Sequence, residues 1–127
     1  MDKDSSYGGV CVAMIQRQPD VRIRHLDVVW KFDGGERILT THEQAYSDND
    51  SHQSPADLGR GFAITDHVSP RTNHMIALFR CGENRPSLSI DFAPVVRGRD
   101  AVQDMFAFMR IAQKRFGEIH DCTPRAA

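Results

Sequence analysis

The sequence predicts an α+β fold: a mostly antiparallel sheet of about six strands with a C-terminal helix packed on it. Short apolar segments with alternating parity recur from residue 9 to residue 92, and turn-forming residues separate them. One long stretch of helical periodicity then closes the chain. The same element order permits a partly closed barrel capped by the helix as the alternative architecture.

Gly9-Val-Cys-Val-Ala-Met-Ile15 is apolar at both parities, the pattern of a short strand buried on both faces, and Gln16 to Asp20 supply a turn. From Val21 to Phe32 the apolar parity slips near Arg24-His25, which predicts a β-bulge or two short strands, with Leu26, Val28, Trp30 and Phe32 on one face. Asp33-Gly-Gly-Glu36 reads as a hairpin turn, because glycine supplies the positive φ that tight turns between twisted strands require. Arg37 to Glu43 is then the return strand, setting Trp30 opposite Leu39 and Val28 opposite Thr41.

Residues 44–61 form a polar loop, in which Ser54-Pro-Ala-Asp-Leu-Gly59 carries the signals of a one-turn helix with a capping serine. Phe62 to Val68 and Asn73 to Arg80 predict two strands joined by Ser69-Pro-Arg-Thr72, and Ser87 to Phe92 a third that alternates cleanly. Asp100 with Gln103 predicts a capping box for a helix ending near Phe116, with Gly117 as its C-terminal cap. Val102, Met105, Phe106, Met109, Ala112 and Phe116 share its apolar stripe, and residues 118–127 follow as a frayed tail.

A chain of 127 residues fits one domain, 1–127, and at this size folding buries about two thirds of the unfolded surface. A hydrophobic fraction of 40% and a charged fraction of 26% are ordinary globular values, and no apolar run is long enough to span a bilayer. Met1-Asp-Lys-Asp-Ser-Ser lacks the basic start and apolar stretch of a secretory signal, so the expected compartment is the cytoplasm. Arginine outnumbers lysine 13 to 3, which hints at a GC-rich genome, and a bacterial or phage-related source is the separate expectation. Cys11, Cys81 and Cys122 are odd in number and form no Cys-x-x-Cys pair, so neither a disulfide framework nor a structural zinc site is expected. No cofactor is expected.

Three segments invite chemistry. Asp48, Asp50 and His52 alternate as calcium-loop ligands would, but counting from Asp48 the positions for the obligatory glycine and glutamate hold Gln53 and Gly59. In the four-residue hairpin, His67 lies opposite His74, close enough for two ligands of one zinc or copper ion, although no third ligand stands at an obvious spacing. Ser69 with His67 and Asp66, and Cys122 with His120 and Asp121, place a nucleophile near a base in sequence without any catalytic signature around them.

A net charge of −1 from 16 basic and 17 acidic residues gives no field to steer the chain onto nucleic acid, leaving a local patch of Arg22, Arg24, Arg110 and Lys114 as the means of such binding. Phe108 and Ile111 project away from the apolar stripe of the helix, as side chains at a partner surface or a homodimer contact do. The favoured function is a small non-enzymatic protein-binding module of inhibitor, immunity-protein or chaperone type. Its contact residues would be Asp48, Asp50, Asp57, Phe108 and Ile111. The alternatives are a metal-dependent or hydrolytic enzyme centred on His67 and His74, and the nucleic-acid module. No membrane partner is expected.

Overall fold

The computed structural model of the chain describes residues 8–15, 24–32, 34–47, 50–65, 73–92 and 100–126. Its elements run β1 (Gly8–Ile15), β2 (Arg24–Lys31), α1 (Gly35–Ala45), β3 (His52–Gln53), a 3-10 turn (Ala56–Leu58), β4 (Arg60–Ile64), β5 (Asn73–Cys81), β6 (Ser87–Phe92), α2 (Ala101–His120) and β7 (Pro124–Ala126). Six strands form one antiparallel sheet in the order β1-β2-β6-β5-β4-β3, and β7 pairs with the end of β5. The sheet does not close into a barrel, so the capped-barrel alternative falls. Among the described residues no helix is long and apolar enough to cross a membrane.

The alternation of β5 decides where the two layers of core lie. Met75, Ala77, Phe79 and Cys81 pack with Trp30, Leu88 and Ile90 beneath α2, whose Met105, Phe106, Met109, Ala112 and Phe116 complete that cluster. Ile76 and Leu78 point the other way and meet Leu39, Phe62 and Ile64 beneath α1. The central strand is therefore buried on both faces, and the sheet lies between two helices.

The expected hairpin after residue 32 is replaced by a helix. Gly34 has φ 73° and sits at the N-terminal end of α1, so the glycine pair supplies a left-handed entry to a helix instead of a strand reversal. Gly35 is pressed against the backbone of Arg85 and Pro86, where any side chain would collide. Thr40 and Thr41 return their hydroxyls to the carbonyls of Glu36 and Arg37 at 2.9 Å, which lets residues of strand preference sit within a helix. Trp30 is buried as expected, but under α2, so neither it nor Val28 faces residues 37–43. β1 and β2 pair without interruption from Gly8↔Lys31 to Ile15↔Arg24, so no bulge occurs at Arg24-His25; Val21 to Ile23 lie outside the described residues.

α2 begins where expected, with the Asp100 carboxylate accepting from the backbone N–H groups of Val102 and Gln103 at 3.1 and 3.2 Å. It runs past Gly117 to His120, and the left-handed cap is Asp121 at φ 56°. Gly117 serves close packing: a Cβ there would meet the Cys122 carbonyl at 2.5 Å and Pro124 at 2.6 Å. The segment expected to fray is fastened three ways, by the last turn of α2, by a Cys81–Cys122 disulfide with Cα atoms 5.2 Å apart, and by β7 against β5. Cys81 is buried as a core residue should be, yet it is also half of this bridge, which corrects the expectation of unpaired cysteines.

Candidate functional site

His74, on β5, has a buried side chain that faces α1. Its Nδ1 lies 2.7 Å from Asp91 Oδ1, which follows from the ladder that sets His74 beside Asp91 on β6. A carboxylate only accepts, so Nδ1 of His74 carries the proton on that side. His42 of α1 stands with its Nδ1 3.0 Å from Nε2 of His74, close enough for the two rings to share one proton. The result is an Asp91–His74–His42 chain of hydrogen-bonded side chains.

Burial lowers the pKa of His42 first, and the neighbouring His74 lowers it further, while Asp91 opposes them. Tyr46 closes the group: its ring stacks on His74 with centroids 4.7 Å apart, and burial followed by the Asp91 charge pushes its hydroxyl pKa up. Ile38, His42 and Tyr46 recur every four residues, which puts them along one side of α1. That helical spacing was the available signal for the cluster. Reading residues 37–43 as a strand concealed it.

A groove of about 350 Å³ adjoins Tyr46 between α1 and the β3–β4 edge. Leu39, Phe62 and the Tyr46 ring give it an apolar floor, and Glu43 of α1 faces Arg60 of β4 across it at 3.8 Å.

The sequence-derived candidates fare differently. His74 pairs across the β4–β5 ladder with Ile64, three positions from His67, so the register expected for the two histidines is not the one observed. His67, with Asp66 and Ser69, lies outside the described residues. Among the described residues no group of three or more histidine, cysteine or carboxylate side chains has the geometry to hold a metal ion. Cys122 is spent in its disulfide and cannot act as a nucleophile beside His120.

The 3-10 turn at Ala56–Leu58 forms as expected, although Pro55 stands at its cap and Ser54 makes no capping bond. Gly59 closes it at φ 93°, with Leu78 too near for any side chain, so the glycines of Gly59-Arg-Gly61 answer a packing need. Asp57 is exposed but bonded twice by Arg110, at 2.9 and 3.3 Å, and Gln113 donates to the Leu58 carbonyl at 2.8 Å, so this turn is docked on α2. The hydrogen bonds from Arg110 are the main cause holding the Asp57 carboxyl below its usual pKa. Asp50 is exposed, and Asp48 lies outside the described residues.

Arg110, one of the four basic residues of the nucleic-acid reading, is engaged by Asp57, while Lys114 is exposed on the same helix. Arg22 lies outside the described residues, and Arg24 belongs to β2. On α2, Phe108 and Ile111 are 37% and 66% exposed, as their helical phase predicts.

Compared with protein-family models, with curated proteins and with solved structures, the chain matches none.

Proposed function

We propose that this chain is a small protein-binding module, of inhibitor, immunity-protein or chaperone type, that acts by covering a partner protein through the outward face of α2. The observation that carries the reading is Ile111, 66% exposed at the centre of that face. Helical phase sets Ala107 and Phe108 one turn before it and Lys114 and Arg115 one turn after it, all exposed. An apolar centre rimmed by charge is the arrangement of an interface hot spot and its surrounding ring. Asp57, held at the border of this face by Arg110, adds an acidic contact to it, and Asp50 and Asp48 stay in the proposal on sequence alone.

The compartment belongs to the proposal as well. The cytoplasmic expectation stands against the Cys81–Cys122 disulfide, which favours oxidising surroundings.

The test places a photo-crosslinking residue at Ala107, with the same residue at exposed Gln44 on the opposite helix as control. A defined protein adduct is expected from position 107 alone, and it should be lost when Ile111→Asp is added. A central apolar contact of this kind is worth about thirtyfold in affinity. Equal labelling from both positions, or an adduct that survives Ile111→Asp, sinks the reading. An adduct containing only a second copy of the chain replaces the partner by a homodimer.

A further inference from the structure

We propose that the groove between α1 and the β3–β4 edge binds a free α-amino acid with a large apolar side chain. This is a second site, independent of the α2 face. Its volume of about 350 Å³ lies at the small end of the roughly 300–1,000 Å³ typical of small-molecule sites, which selects a compact ligand.

Charge in the groove selects the ligand class. The Arg60 Nη2 and Glu43 Oε1 atoms are 3.8 Å apart, and their side chains are 60% and 52% exposed. That spacing counts as an ion pair but exceeds the roughly 2.7–3.2 Å of a formed N–H···O bond. The guanidinium therefore keeps donors, and the carboxylate keeps lone pairs, for a third molecule. A zwitterion completes the set: its carboxylate seats on Arg60 and its ammonium on Glu43, so four charges alternate around a closed ring. A fatty acid or a simple amine satisfies only one of the two.

The floor selects the side chain. Leu39 and Phe62 are buried beneath the groove, and the Tyr46 ring stands 6.2 Å from the Phe62 ring, inclined at 59°. A large apolar side chain covers this surface, whereas glycine leaves it wet and glutamate brings a charge onto it. The edge adds backbone groups. Ser54 donates its N–H to the Gly61 carbonyl at 3.0 Å, so by antiparallel alternation the N–H and C=O of neighbouring Gln53 turn away from β4, beside the groove that Gln53 lines.

The test is calorimetric titration of the intact protein with phenylalanine, tyrosine, tryptophan, leucine, isoleucine and methionine. Glycine and glutamate serve as controls, and 3-phenylpropanoate and 2-phenylethylamine as half-ligands. At least one apolar amino acid should saturate, with both half-ligands and both control amino acids weaker by about tenfold or more. Arg60→Gln should weaken the amino acid and 3-phenylpropanoate while sparing 2-phenylethylamine, and Glu43→Gln should do the reverse for the half-ligands. Both side chains are exposed, so neither change endangers the fold. If none of the six saturates below about 10 mM, or if binding survives both substitutions, or if a half-ligand matches the amino acid, the proposal is overturned.

Discussion

His42 shows how one residue's chemistry depends on contacts that its sequence neighbours do not predict. Its Nδ1 bonds to His74, and His74 is in turn oriented by Asp91, while burial and the adjacent ring oppose protonation of His42. A histidine with a lowered folded-state pKa binds fewer protons than its unfolded counterpart between that value and the ordinary one of about 6.5, so stability rises with pH across this window. Acidification from above 6.5 should therefore cost stability until the lowered pKa is passed, after which the loss levels off. Urea midpoints of wild type measured from pH 8 to pH 5 should fall on the acid side, and His42→Gln should flatten that fall. An equal fall in both proteins would place the titrating group elsewhere.

At the scale of elements, α2 was fully legible at its start and not at its end. Asp100 is a local signal, because an N-cap bonds to backbone two and three residues on, and the structure returns that bond. Gly117 was read by the same local logic as a cap, but what requires glycine there is the returning chain at Cys122 and Pro124. Gly117→Ala should thus destabilise the protein although alanine is the better helix former, by the roughly 1–3 kcal/mol of an overpacked site. Thermal melting that shows a gain would mean the returning segment yields freely. α1 was lost for a related reason. The β-branched Ile38, Thr40 and Thr41 favour a strand, and only the floor offered by Ile76 and Leu78 makes a buried helical side around Leu39 worth more than that preference.

For the molecule as a whole, the Cys81–Cys122 bridge closes 41 residues of sequence separation and joins the end of β5 to the end of α2. A loop of that size contributes about 2–4 kcal/mol in the chain-entropy account. Protein unfolded without reductant should show one free thiol of its three cysteines, and three after reduction. Cys122→Ser should lower the denaturation midpoint accordingly. Three thiols without reduction, with an unchanged midpoint in the variant, would remove the bridge from the working form.

Local pattern was enough to read the α+β class, the span of β6, the start and apolar stripe of α2, and the exposure of Ile111. Each of these depends on residues within one or two turns of one another. Long-range packing makes residues 35–45 a helix, brings Cys81 to Cys122, and gathers His42, His74 and Asp91. Those partners are 32, 41 and 17 residues apart. Periodicity reports which side of an element is apolar, whereas packing against a sheet chooses which distant side chains that side will face.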